Sequence, residues 1–190
     1  MRRLVLVRHA TTAAVRAAAF GADEPLDERG RAAAAALRGA LARADETYVS
    51  TALRARQTAE AAGWAPAMVD PALDECDFGR WAGRTLAEVH AAEPEAAATW
   101  MAEPDAAPHG GESLTALLRR VARWLDDQAG RDGSAVAVTH GGVVKAAVIA
   151  ALDAPAPAFW RIDVGPAALT ELHAHDGRWT VVRVNERPRA

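Results

Sequence analysis

Leu4-Val5-Leu6-Val7, followed at once by Arg8-His9, is the stretch that decides the fold. Four apolar residues, two of them β-branched and bounded by charge, have the length and composition of a strand buried on both faces, as in a parallel sheet. The arrangement recurs late in the chain, where Ala135 to Thr139 runs into His140-Gly141-Gly142. In an open α/β sheet the ligand crevice lies at the carboxyl ends of the strands, so both histidines are expected to project into one site. A third strand end points the same way: Ser50-Thr51-Ala52-Leu53-Arg54-Ala55-Arg56-Gln57-Thr58 joins a short strand, Thr47 to Ser50, to a helix over Leu53 to Ala62 that stops at Gly63. Arg54 and Arg56 lie two apart and cannot share a helix face, so at most one points into the site. Two arginines, two histidines and a helix start with free N–H groups make an anion pocket. Taken singly, each histidine reads equally well as a loop residue and Ser50 to Thr58 as an ordinary helix start; the coincidence of the strand ends is the signal.

Outward from these ends, Pro25-Leu26-Asp27 starts a helix running to about Arg43, with only Gly30 and Gly39 against it. Ala67 to Val69 is a candidate third strand, and Thr85 to about Met101 a helical insertion punctuated by Pro94 and Pro104, the whole insertion spanning about 85–109. Glu112 to Ala129 carries Leu114, Leu117, Leu118, Val121 and Leu125 at helical spacing, with Gly130 as its stop. A helix is expected from Val143 to Leu152, then strands at Trp160 to Val164, Leu169 to His173 and Trp179 to Val184, with turns at Gly165-Pro166 and Asp176-Gly177. Strands alternating with helices predict an α/β layered sheet, mixed at the edge formed by the last hairpin.

The chain has 190 residues, with 22 Lys plus Arg against 25 Asp plus Glu and a net charge of −3. That balance offers no basic surface for nucleic acid, and the length predicts one domain, residues 1–190, able to bury roughly 70% of its unfolded surface. The lone cysteine, Cys76, excludes an intramolecular disulfide and a cysteine-based zinc site, so a cytoplasmic location is expected. No apolar run approaches the ~18 residues needed to span a bilayer. About a quarter of the residues are alanine, and Lys145 is the lone lysine among the cations. Composition assigns Lys145 no function. His173 and His175 would share one face of a strand, as a metal pair does, yet lack further ligands, and no metal site or cofactor is expected.

Five motifs in order give a family resemblance. Leu4 to Thr12 is similar to a strand followed by R-H-G-x-T, Ser50 to Thr58 to S-x-L-x-R-A-x-Q-T, Leu73 to Gly83 to L-x-E-x-x-F-G-x-W-E-G, Gly110-Gly111-Glu112-Ser113 to G-G-E-S, and Val138 to Gly142 to V-T-H-G-G. The chain thus resembles the histidine phosphatase superfamily over nearly its whole length, and among its short members the α-ribazole-phosphate phosphatases and broad-specificity phosphatases. The resemblance implies a three-layer α/β/α, phosphoglycerate-mutase-like fold and a metal-independent phosphomonoesterase acting on a small-molecule phosphate ester. It implies His9 as the nucleophile of a phosphohistidine intermediate, and Arg8, Arg54 and His140, with Thr12 and Gly141, as the groups holding the phosphoryl oxygens. Physical chemistry agrees: a neutral imidazole can attack phosphorus in line while cations neutralise the equatorial oxygens. Glu75 is implied as the general acid for the leaving alcohol and the base for the attacking water. Read from the residues alone, Asp74, Glu75 and Asp77 form a solvated acidic turn. Phe78 and Trp81 read as packing residues, and Ser113 as a helix N-cap.

The departures concern the substrate side. Ala10 stands where the family has Gly, at a cost of up to ~1–2 kcal/mol if its φ is positive. Ala82 replaces a Glu, and Val15 stands near a phosphate-binding Asn. The insertion carries Glu88, Glu93, Glu95, Glu103 and Asp105. Carboxylates around an entrance disfavour a multiply charged ligand, whereas Val15, Phe20 and Trp100 could pack on a ring, so hydrolysis of a bulkier, less acidic ester than phosphoglycerate is expected over mutase chemistry; on an ordinary surface helix the same carboxylates simply face solvent. Two other functions fit the same motifs: a phosphatase acting on protein phosphohistidine, and a catalytically silent module binding a phosphate ligand. The oligomeric state, a dimer included, is left open.

Overall fold

A computed structural model describes residues 1–41 and 43–187. β1 (Arg2–Arg8) is central to a six-stranded sheet. It pairs in parallel with β4 (Gly133–Thr139), which pairs with β2 (Glu46–Val49) and through it with β3 (Met68–Val69). On its other side β1 pairs antiparallel with β5 (Leu169–His175), which pairs with β6 (Arg178–Glu186), so the spatial order is β3-β2-β4-β1-β5-β6. The mostly parallel sheet with an antiparallel edge is the one the strand pattern predicts.

Period-2 alternation divides the core. Leu4, Leu6, Ala135 and Ala137 face α6 (Leu114–Ala129) and α7 (Gly141–Ala151), while Val5, Val7, Val136 and Val138 face α2 (Glu28–Ala36) and α3 (Leu53–Ala61). Helices thus cover both faces of the central strands, giving three layers and leaving Leu4–Val7 and Ala135–Val138 apolar on both sides. Ser113 caps α6 by accepting from the Ala116 N–H, as expected. The insertion is a helix pair, α4 (Leu86–Ala92) and α5 (Pro94–Ala102), with Pro94 opening the second helix.

Two expectations fail. The helix read from Asp27 to about Arg43 ends at Ala36, because the chain turns through Gly39 at φ +79°; residue 42 lies outside the described residues. Trp160 to Val164 is not a strand. Pro155 and Pro157, which lack N–H donors, set a 3₁₀ turn over Ala156–Arg161, the chain continues irregularly to Val164, and the place beside β1 goes to β5. A short helix, α1 (Ala13–Arg16), capped by Thr12, occupies the loop after β1.

Candidate active site

The register of the sheet builds the site. Arg8 at the end of β1 is the partner of Thr139 at the end of β4, so His9 and His140 leave adjacent strands side by side, with the His9 N–H donating to the Thr139 carbonyl at 2.8 Å. Their rings meet edge to face with centroids 5.1 Å apart, and they are 4% and 1% exposed.

Arg54, in the first turn of α3, ties the two rings together. Its Nε donates to His9 Nε2 at 3.1 Å, its Nη2 to His140 Nδ1 at 3.2 Å, and its Nη1 to the Ala22 carbonyl at 2.5 Å. A guanidinium only donates, so both imidazole nitrogens it meets carry lone pairs, and this sets the tautomers. His9 holds its proton on Nδ1, which donates to the Ala10 carbonyl at 2.8 Å, leaving the lone pair on Nε2. His140 holds its proton on Nε2, which donates to Ser50 Oγ at 2.7 Å; the Ser50 hydroxyl in turn donates to Asp74 at 2.7 Å. Asp74 also accepts from the N–H and hydroxyl of Thr51, each at 2.8 Å, and so anchors the relay. Burial, reinforced by the positive charge of Arg54, pulls the His9 pKa down to about 3, and burial also lowers that of His140, so both are neutral near neutrality. Thr58 sets the loop: its hydroxyl accepts from the Ala10 N–H at 3.0 Å and donates to the Arg54 carbonyl at 2.7 Å.

Glu75 lies opposite, with Oε2 accepting from the Gly142 N–H at 3.1 Å and Oε1 from the Cys76 N–H at 3.0 Å. A Cβ on Gly142 would sit 2.1 Å from Oε1, which is why glycine follows Gly141 at the start of α7. Arg8 donates through Nη1 to the Val164 carbonyl at 2.5 Å, while its buried Nε has no partner among the described residues. Two cavities share Arg8, Glu75 and Phe78. One, of about 160 Å³, also contains His9, Arg54, Val15, Phe20 and Glu24; the other, of about 240 Å³, is lined by Gly141, Gly142, Trp100, Lys145, Trp160 and Asp163.

The structure therefore brings together His9, Arg8, Arg54, Glu75, His140 and Gly141, but not Thr12. The Thr12 hydroxyl is buried, donating to Glu24 at 2.9 Å and capping α1, and it lines neither cavity. Arg56 is exposed, so Arg54 is the inward arginine of the pair. Phe78 is a cavity wall as well as a packing residue, whereas Trp81 is wholly buried. Ala10 is not among the residues with positive φ, and the anticipated strain does not arise. The acidic insertion is not an entrance. Glu88 caps α4 with Thr85, and Glu93 binds Arg80, Arg84 and the Trp81 N–H; neither lines a cavity beside His9. The expectation that these carboxylates repel charged ligands therefore loses its premise. Burial pushes the Cys76 thiol up and keeps it protonated. Composition passed over Lys145; its signal was position, four residues after Gly141 and thus on the same face of α7.

The sequence model described as Histidine phosphatase superfamily (branch 1) matches residues 4–187. The chain belongs to this histidine phosphatase superfamily. A bifunctional protein of Mycobacterium tuberculosis is 36% identical over 196 residues, covering 97% of this chain but 54% of its own, so this histidine phosphatase chain spans about half of that relative. The glucosyl-3-phosphoglycerate phosphatase of Mycolicibacterium vanbaalenii is 33% identical, covering 92% of this chain and 85% of its own. The adenosylcobalamin/α-ribazole phosphatase of Salmonella typhimurium is 30% identical, covering 97% and 96%. The solved mycobacterial glucosyl-3-phosphoglycerate phosphatase in complex with VO3 aligns with a TM-score of 0.87 at 30% identity, covering 97% of this chain and 99% of that one. The three-layer fold of the histidine phosphatases is thereby established for this chain. No helix among the described residues is long and apolar enough to cross a membrane.

Proposed function

We propose that this chain is a metal-independent phosphomonoesterase that hydrolyses small organic phosphate esters through a phosphohistidine formed on His9. The observation that carries the reading is the neutral His9 ring, its Nε2 lone pair held by Arg54 at 3.1 Å and its Nδ1 proton fixed on the Ala10 carbonyl. Nε2 attacks phosphorus as the bond to the ester oxygen breaks, and Glu75 in its acid form gives a proton to the departing alcohol. Water then attacks the phosphohistidine, Glu75 takes its proton, and phosphate leaves as the P–N bond breaks. Arg8 and Arg54 stabilise the charge on the transferring group, His140 holds Arg54 in place through its Nδ1 lone pair, and Gly141 at the N-terminus of α7 adds backbone dipole on the same side. The two guanidinium groups supply the positive charge that a metal would otherwise supply. Small-molecule phosphate esters are also the class that the names of the relatives describe. The whole chain acts as one catalytic domain, with the α4–α5 pair as an insertion behind the aromatic wall. Hydrolysis of p-nitrophenyl phosphate with excess chelator tests the proposal: activity should persist in the wild type and vanish in His9→Ala. A requirement for a divalent cation, or full activity in His9→Ala, would refute it.

A further inference from the structure

The 240 Å³ cavity adjoins the one containing His9 through Arg8, Glu75 and Phe78, which line both, and so offers space for the leaving group of an ester. Lys145 projects into it from α7, one turn after Gly141, with Nζ 5.1 Å from the centroid of the Phe159 ring. Unlike Arg54, Arg84 and Arg120, each of which has a carboxylate within 4.0 Å, Lys145 makes no ion pair or hydrogen bond with any described residue. It is half-buried, and burial lowers its pKa although the charges of Asp163 and Glu75 oppose that shift. A partly desolvated cation that has a ring face beside it but no anionic partner among the described residues, opening onto a ligand cavity, gains most from an anion supplied by the ligand. Asp163 lines the same cavity and is an acceptor for a hydroxyl or ammonium beside that anion. At about 240 Å³, walled by Phe78, Trp100 and Trp160, the space falls just below the ~300–1,000 Å³ of pockets for drug-sized ligands, and so suits a compact leaving group.

Resting on the phosphatase reading above, we infer that the enzyme prefers phosphate esters whose alcohol carries a carboxylate, and that Lys145 is the specificity-determining residue that reads it. The expected ligands are phosphorylated hydroxy acids, with a hydroxyl or amine that Asp163 can accept from. This reverses the preference that the acidic insertion suggested from sequence.

The test compares kcat/KM for O-phosphoserine and 3-phosphoglycerate with that for their carboxylate-free counterparts, O-phosphoethanolamine and glycerol 3-phosphate, in wild type, Lys145→Met and Lys145→Arg. Wild type should favour the acids by at least ~10-fold, carried mainly by KM, as expected for a charge-assisted contact made in both ground and transition states. Lys145→Met should bring the ratio to within about threefold of unity, and Lys145→Arg should restore most of it. Hydrolysis without preference in the wild type, an unchanged ratio in Lys145→Met, or equal losses on acids and neutral esters would each overturn the inference while leaving the phosphatase reading intact. Failure of the wild type to hydrolyse any ester, p-nitrophenyl phosphate included, would overturn both.

Discussion

Gly142→Ala separates the role of Glu75 from the stability of the fold. Gly142 is the second residue of α7, and its φ is not in the left-handed region, so alanine is accepted by the backbone and gains up to ~1 kcal/mol in helix propensity. The added methyl carbon, however, falls 2.1 Å from Glu75 Oε1 and 3.1 Å from its Cδ. The obstructing atoms are the end of a flexible side chain, so the fold relieves the clash by moving Glu75 by about 1 Å rather than by opening the helix. That displacement also removes the acceptor of the Gly142 N–H, now 3.1 Å away. A misplacement of this size can cost about 10²-fold, and general acid catalysis contributes ~10²–10⁴-fold, so kcat/KM on an alkyl ester such as O-phosphoserine should fall by at least ~10². p-Nitrophenyl phosphate, whose leaving oxygen needs little protonation, should lose less than ~10-fold. Steady-state assays of both substrates beside Glu75→Gln, with a thermal melt of each variant, provide the comparison. Equal losses on the two esters would refute Glu75 as the proton donor, and unimpaired hydrolysis of both would refute its placement.

Arg54→Ala should lower kcat/KM by at least ~10²-fold, the loss expected for a charge-assisted contact made chiefly in the transition state, and a loss under threefold in steady-state assays would contradict its position between His9 and His140. Thr58→Val keeps the shape but strips the acceptor from the buried Ala10 N–H, so urea unfolding should show a loss of ~1–3 kcal/mol; stability within ~0.5 kcal/mol of wild type would mean the bond contributes nothing. His9 and His140 have pKa values depressed on folding, His9 to about 3. The unfolded chain therefore takes up protons below about pH 6.5 that the native state refuses, and this stability, full above that pH, is lost as pH falls towards 3. The urea midpoint should drop between pH 7 and about pH 5.5, less so in His9→Gln, and a constant midpoint in both would contradict the neutral, buried rings.

What could be read from the sequence was whatever the sheet dictates. Leu4 to Val7 and Ala135 to Thr139 are apolar because helices cover both faces, and their ends fix His9 and His140 without reference to the rest of the chain. The inward choice of Arg54 over Arg56 needed only helical spacing and the motif. Long-range contacts stayed out of reach. Nothing local tells that Ser50 bridges His140 to Asp74, 24 residues away in sequence from Ser50, or that Glu75 needs a glycine at Gly142. Trp160 to Val164 looked like a strand because aromatic and β-branched residues favour one, yet Pro155 and Pro157 turn the segment so that Trp160 faces the cavity. The acidic insertion misled for a related reason: charge in a sequence carries no direction, and Glu93 is consumed by Arg80, Arg84 and Trp81.

The central claim is covalent: phosphorus is transferred to His9. Rapid acid-free quenching of the enzyme with ³²P-labelled ester, followed by peptide mapping under alkaline conditions, measures it directly. An alkali-stable, acid-labile phosphoryl group is expected on the peptide containing His9, formed in a burst, undiminished by chelator and absent from His9→Ala. Turnover of the labelled ester with no phosphoenzyme at any quench time, or with the label on another residue, would contradict it.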